Sequence, residues 1–194
     1  MVRVRAEDLA SKSSQKSRSC TTTGEMKHTM TSNYSNVLLD NLDILATCAS
    51  GLFAGASLYI NLAQVPSLNA SLSTDEHWKY FPSMLKCAAP SQSILAFTSG
   101  IFSLMHAYRM PQNFPNIWYT AGILMSLIVP YTSLAIMPTN NLIMDSVDST
   151  KATTKVYTSA EKKKHLGKWA TLHTPRTVAT LAAFGLMIYG LKNK

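Results

Sequence analysis

The sequence predicts an all-α protein: an integral membrane antiparallel four-helix bundle behind a disordered N-terminal tail. Only 14% of the 194 residues are charged, whereas a soluble globular domain usually carries about 25%. Most of the charges lie in two polar blocks, 1–36 and 144–168, and long charge-free runs occupy the rest of the chain. A soluble all-helical domain is the alternative, but charge-free runs of this length are hard to bury in a domain this small.

Residues 1–36 form the first polar block, which is rich in Ser, Thr, Lys and Arg and has almost no bulky aliphatic side chains. A segment of this composition cannot bury enough apolar surface to offset the entropy cost of ordering it. We therefore predict a disordered tail over 1–36 and a transmembrane domain over 37–194. The tail lacks the apolar segment of a secretory signal, so the membrane prediction depends on the domain itself.

Four apolar runs predict the four helices. The runs 44–65, 87–108 and 110–144 contain no charged residue, and each reaches the roughly 20 residues that a helix needs to cross a bilayer core of about 30 Å. The fourth run, 177–191, is shorter and is long enough only if its helix begins upstream. The predicted helices are 42–65, 87–108, 117–138 and 159–191.

Local signals refine two of these helices. Thr158 and Glu161 have the spacing of a capping box, which predicts that the fourth helix starts beside them. Pro130 lies inside the third run and should kink that helix, because proline removes a backbone donor and crowds the preceding turn.

Small residues predict close packing of the helices. Gly51 and Gly55 form a G-x-x-x-G pair in the first helix, and such pairs let a second helix approach closely. The second and fourth helices have similar small-residue faces. These faces contain Ser93, Ala96, Gly100 and Ser103 in the second helix, and Ala179, Ala182 and Ala183 in the fourth.

The net charge of +8 does not indicate a nucleic-acid partner. The Lys and Arg residues lie in the tail and the loops, without a basic stripe and interleaved aromatic residues. They also divide evenly between the two sides of the predicted bundle, so the positive-inside rule assigns no orientation. The predicted partner is a lipid bilayer, together with a hydrophobic or aromatic small molecule.

No metal or cofactor site is predicted. The three cysteines are widely spaced and form no C-x-x-C pair, which argues against zinc binding and thiol–disulfide chemistry. His106 ends the second helix on the opposite side from His173, whereas two haem ligands would need similar depth.

Polar residues are predicted to converge at one membrane face. The first helix ends, the third ends and the fourth begins on the same side, so their terminal polar residues should meet. Ionisable groups in a membrane are candidates for function, although hydrogen bonding between helices, helix capping and interfacial anchoring also account for such residues. The candidates are Asn61, Gln64, Trp78, Thr139, Asn140, Asn141, Trp169, His173 and Arg176.

Short motifs on all these segments resemble the anthrone oxygenase-like membrane family. They are Phe53-Ala54-Gly55-Ala56 followed by Pro66, Pro130-Tyr131-Thr132 with Pro138-Thr139-Asn140, and Trp169-x-x-x-His173-x-x-Arg176. The resemblance covers residues 42–191 and implies a four-helix membrane protein. For one branch of the family it also implies oxidation of an anthrone to an anthraquinone by O₂, without metal or flavin.

The resemblance leads to a hypothesis about the site. A cofactor-free monooxygenase needs a base, donors that stabilise the resulting anion and an apolar pocket. His173 is the candidate base, Arg176 and Asn140 are the candidate donors, and Trp169 is an aromatic wall. Asn61, Gln64, Thr139, Asn141 and Trp78 are further candidates for substrate binding. The alternative is a non-catalytic membrane protein that binds a lipid or a hydrophobic small molecule, or serves as a partner subunit.

Overall fold

A computed structural model describes residues 37–148 and 156–193 of the protein. The predicted tail 1–36 therefore lies outside the described residues. Contacts divide the chain into a unit Met1–Asn41 and a larger unit Leu42–Lys194. The larger unit contains four long helices and, among its described residues, no strand, which confirms the all-α prediction. They are α1 (Leu42–Ser71), α2 (Thr74–Arg109), α3 (Pro115–Val147) and α4 (Ser159–Lys192).

The first three helices differ in extent from the sequence prediction. Helix α1 continues to Ser71 and α3 continues to Val147, whereas we expected them to end near 65 and 138. Helix α2 begins at Thr74, so the predicted loop 66–86 is helical except at Leu72 and Ser73. The link between α1 and α2 is therefore limited to Leu72 and Ser73.

A π-helical turn precedes one internal proline in each of α1 and α3. The turns are Ile60–Gln64 in α1 and Thr132–Ile136 in α3, and they end shortly before Pro66 and Pro138. A proline leaves one carbonyl without its helical partner and crowds the preceding turn. A π turn widens the helix at the same place, so one irregularity accommodates the other and the helix continues.

Capping boxes start the two helices that carry polar first turns. Thr158 and Glu161 form the box predicted for α4, and Ser73 and Glu76 form an equivalent box at α2. An ion pair of 2.6 Å between Asp75 and Lys162 joins the two helix starts. The hydrogen bond and charge of Lys162 lower the pKa of the Asp75 carboxyl.

Each helix packs mainly against two of the others, and the four helices surround two apolar clusters. Helix α1 contacts α2 and α4, and α3 contacts the same two helices. The first cluster is centred on Phe53, Trp118 and Met125, with Ala183 and Met187 from α4. The second cluster contains Ile60, Trp78, Phe81, Met84, Ile136, Ile143, Leu166 and Trp169.

Small residues bring the helices close together at several points. A Cβ atom built on Gly122 would lie 2.8 Å from Leu104 and 3.2 Å from the carbonyl oxygen of Gly100. The hydroxyl of Ser103 donates to the carbonyl oxygen of Trp118 at 2.7 Å. In the predicted G-x-x-x-G pair, Gly51 lies against Phe184, whereas Gly55 faces open space.

Gly122→Ala should destabilise the protein and Gly55→Ala should not. Overpacking of this kind costs typically about 1–3 kcal/mol, because the carbonyl oxygen of Gly100 is backbone and cannot turn aside. At Gly55 no atom lies within 4 Å of the added carbon, and Ala favours a helix over Gly. Thermal unfolding followed by far-ultraviolet circular dichroism measures both variants. Equal shifts in Tm would contradict the close approach of α2 and α3.

Among the described residues, α1 and α3 are long and apolar enough to cross a membrane. The prediction of four spans is supported by length and composition for these two helices. Helices α2 and α4 are less apolar for two reasons. The charge-free run in α2 contains several Ser residues, Gln92 and Pro90, and the charge-free part of α4 is confined to 177–191. The absence of charged residues is therefore a weaker criterion for a membrane-spanning helix than high mean hydropathy.

Candidate functional site

A cavity of about 430 Å³ lies between the two apolar clusters. Phe53, Ala96 and Ile128 of the first cluster line it on one side, and Ile60 and Met84 of the second cluster line it on the other. All four helices contribute to its walls. The volume is in the range of small-molecule sites, which are typically about 300–1,000 Å³ and largely apolar.

Helix α4 gives the cavity a polar wall. Trp169, His173 and Arg176 all line it and are buried, Arg176 to the extent that only 8% of it is exposed. Their spacing of i, i+4 and i+7 places them on one face of the helix. At about 1.5 Å of rise per residue, the wall runs for roughly 10 Å.

Two side chains position the Arg176 guanidinium. Its Nη2 donates a hydrogen bond of 2.5 Å to Oε1 of Gln92 in α2. Its Cζ lies 4.6 Å from the centre of the Phe53 ring in α1, which is the geometry of a cation–π contact. The guanidinium is therefore fixed between two other helices, by a neutral hydrogen-bond acceptor on α2 and an aromatic ring on α1.

A cluster of aromatic rings positions His173. The centres of the Trp169 and His173 rings are 4.4 Å apart, and Phe81 contacts Trp169 edge-on at 5.1 Å. Tyr131, next to Pro130, donates a hydrogen bond of 2.9 Å to the carbonyl oxygen of Leu172. These contacts join α2, α3 and α4 around the imidazole.

Asn140 of α3 and Gln64 of α1 add carboxamides to the polar lining. Asn140 is buried, while Gln64 is half-buried at the end of the π turn. The π turn in α3 ends four residues before Asn140. Because a π turn shifts the helical register, it sets which residues of the following segment face the cavity.

Four polar atoms on the lining residues are buried without a hydrogen-bond partner in the described part of the chain. They are Oδ1 of Asn140, Nε1 of Trp169, Nδ1 of His173 and Nε of Arg176. An unsatisfied buried polar group costs typically about 1–3 kcal/mol. Their concentration around one cavity indicates a place where a polar part of a ligand would be bound.

The other predicted site residues lie outside this lining. Asn61 donates a hydrogen bond of 2.5 Å to Oγ1 of Thr177, and Trp78 donates one of 2.9 Å to Ser146. Thr139 is buried and Asn141 is exposed. The structure thus brings together Gln64, Asn140, Trp169, His173 and Arg176, in the interior of extended helices rather than at helix ends.

Gln92 and Phe53 are lining residues that the sequence analysis did not select for the site. Gln92 lies in a charge-free run near Pro90, and its polarity within that run was the available signal. Phe53 belongs to a segment that predicted helix packing and carried part of the family resemblance, but it was given no role in the site. Its contact with Arg176 depends on the relative rotation of α1 and α4, which spacing along one helix does not reveal.

The cavity opens between α2 and α3. Several lining residues on these two helices are strongly exposed, including Ile94 at 66% and Phe97 at 62%. Val129 and Met137 form the α3 side of the opening. An apolar rim of this kind favours entry of an apolar molecule from the side of the helices.

Among residues 37–148 and 156–193, no group of three or more His, Cys, Asp or Glu side chains is placed to hold a metal ion. The polar lining consists instead of carboxamides, hydroxyls, an imidazole, an indole and a guanidinium. In chemical terms, this set offers one base and several hydrogen-bond donors beside an apolar space.

Comparison with known proteins connects this site with a family. A family model described as anthrone oxygenase matches residues 78–186. A protein of Claviceps purpurea (strain 20.1) named anthrone oxygenase is 30% identical over 142 residues, which cover 69% of this chain and 79% of that protein. No solved structure matches. The family match includes Asn140, Trp169, His173 and Arg176.

Proposed function

The chain belongs to the anthrone oxygenase family, and from this premise we propose that it uses O₂ to oxidise an anthrone-like phenolic substrate to a quinone. In this proposal it works without a cofactor, as a multi-pass four-helix membrane protein. The observation that carries the proposal is the buried base and hydrogen-bond donors on one wall of an apolar cavity.

The reaction needs acid–base chemistry and an electron-rich substrate. Loss of a proton from the CH₂ group of an anthrone gives an enolate, which transfers electrons to O₂ and forms a carbon–oxygen bond. The resulting peroxide takes up that proton to become a hydroperoxide. Loss of the second C–H proton and of hydroxide, which combine as water, leaves a carbonyl group. One oxygen atom enters the quinone and the other leaves as water.

His173 is the proposed base. Within the described part of the chain, its Nδ1 is buried without a hydrogen-bond partner, so it is available to a substrate. Its ring lies against Trp169. It would take the first proton from the CH₂ group and return it to the peroxide. As the hydroperoxide breaks down, it would accept the second proton and pass it to the departing hydroxide, which forms water. The imidazole ends the cycle in the state in which it began.

Arg176 and Asn140 are the proposed groups that stabilise the enolate oxygen. Arg176 has a fixed guanidinium with an unpartnered Nε, and Asn140 can turn its amide group toward the same space. Donors fixed in advance where charge develops cost little reorganisation during the reaction. Trp169 and the apolar walls would hold the aromatic rings, and Gln64 would contact a polar substituent.

The membrane part of the proposal is supported by α1 and α3, which are long and apolar enough to span. It is further supported by large apolar side chains exposed on all four helices, such as Leu52, Leu134 and Ile188. A bilayer would cover these faces and bring an apolar substrate to the opening between α2 and α3.

Oxygen uptake by the purified full chain in detergent micelles tests the function. Addition of a hydroxylated anthrone should consume one O₂ per quinone formed, above the rate with heat-denatured protein. With isotopically labelled O₂, mass spectrometry should find one labelled oxygen in each quinone. Tight binding of the anthrone without oxygen consumption would instead favour the non-catalytic binding protein.

A further inference from the structure

A second cavity lies beside the first, near the starts of α2 and α4. Its volume is about 330 Å³, and Trp169 lines both cavities. Val65, Leu72 and Leu166 provide apolar walls. Asn69, Thr74, His77 and Lys163 provide polar ones. Trp169 is thus shared by the linings of the two cavities, of which the second is smaller and more polar.

His77 is the buried polar group of this second cavity. Only 3% of the residue is exposed, and within the described residues its Nε2 has no hydrogen-bond partner. Burial lowers the pKa of the imidazole, which favours the neutral ring with one donor and one acceptor nitrogen. A polar atom buried in this way is unfavourable unless a ligand satisfies it.

The electrostatics of the second cavity favour an anion. Lys163 supplies a cation to the lining, and Thr74 begins the 36-residue helix α2, whose N-terminus carries a partial positive charge. The three carboxylates in the first turns of α2 and α4 already have partners: Asp75 pairs with Lys162, Glu76 accepts from Ser73 and Glu161 accepts from Thr158. None of the lining residues is acidic.

We propose that this second cavity binds the carboxylate of a small organic acid. Lys163 and the His77 imidazole would donate to the carboxylate, and Leu166 and Trp169 would contact the apolar body of the acid. The site is separate from the proposed oxygenase site, so a different small molecule would occupy it. Its occupant would touch Trp169, which also forms the aromatic wall of the larger cavity.

Binding of para-fluorobenzoate to the full chain in detergent micelles, followed by fluorine NMR, tests this site. Para-fluorobenzyl alcohol is the neutral probe of nearly the same shape. Lys163→Ala should raise the Kd for the acid about tenfold, as expected for the loss of a hydrogen bond to a charged group. Lys164→Ala is the matched control, because Lys164 is exposed at the next position and does not line the cavity; its Kd should stay within twofold.

His77→Phe should raise the Kd by a similar factor, because it removes the donor and keeps an aromatic ring. Should that variant unfold, the exposed Lys163 and Lys164 variants still decide the question. Equal affinity for the acid and the alcohol would overturn the proposal. So would equal Kd values for Lys163→Ala and Lys164→Ala, which would place the acid elsewhere, for example at Arg176. Because the readout is binding and not turnover, failure here leaves the proposed oxygenase activity untouched.

Discussion

His173→Ala should lower kcat for oxygen-dependent anthrone oxidation by roughly 10²–10⁴-fold, the usual contribution of a well-placed base. The variant removes the imidazole whose Nδ1 is buried and unpartnered beside the cavity, and water in the resulting space is a weaker base. Initial rates of oxygen uptake measure the effect after subtraction of spontaneous anthrone oxidation. KM should change much less than kcat, because the lost interaction belongs to the transition state.

His165→Ala is the matched control for this prediction. His165 lies two turns earlier on α4, is half-exposed, and contacts Trp78 and Tyr157 rather than the cavity. It should keep kcat within twofold. Added imidazole should restore part of the activity of His173→Ala by entering the vacated space. A folded His173→Ala protein with normal kcat would show that His173 is not the base.

The polar wall of α4 was the part of the site most accessible to sequence reasoning. Trp169, His173 and Arg176 are spaced for one helical face, and no other element has to be known for them to share it. The position of Asn140 was harder to predict, because this residue follows a proline and a π turn, and the sequence pattern did not indicate the π turn. Its position facing the cavity depends on the register after that turn.

The extent of the helices was harder to predict than their number. The ends predicted at 65 and 138 from the apolar runs lie beside Pro66 and Pro138, and an isolated proline disrupts the helical hydrogen bonds. A π turn placed just before each proline lets the helix continue. As a result, the site lies inside the protein rather than at helix ends. The capping box at Ser73 and Glu76 had the same spacing as the one predicted at Thr158, and would have indicated the true start of α2.

The contacts between helices could not be predicted from a single sequence. Gln92 and Phe53 hold Arg176 from α2 and α1, so both depend on how three helices are rotated about their axes. Small residues predicted close packing in general, yet Gly51 is in contact while Gly55 is not. Periodicity identifies the residues on a face; packing decides which neighbour that face meets.

Asn140→Leu should lower kcat by roughly 10²–10³-fold, the range for loss of one donor to a developing oxyanion. The change should leave Tm the same or raise it, because Leu has similar volume and removes the buried carboxamide oxygen that lacks a partner. A loss of activity without a loss of stability is the result that distinguishes a functional polar group from one that only holds helices together.

Asn141→Leu is the matched control for Asn140→Leu. Asn141 is chemically identical and adjacent in sequence, but it is exposed and does not line the cavity. Oxygen-uptake rates and thermal unfolding of the two variants should therefore separate them: kcat should fall for Asn140→Leu and stay within twofold for Asn141→Leu. The opposite pattern would mean that α3 is rotated after its π turn, with Asn141 facing the substrate. Equal, small effects would remove both residues from the chemistry and leave Arg176 as the group that stabilises the enolate oxygen.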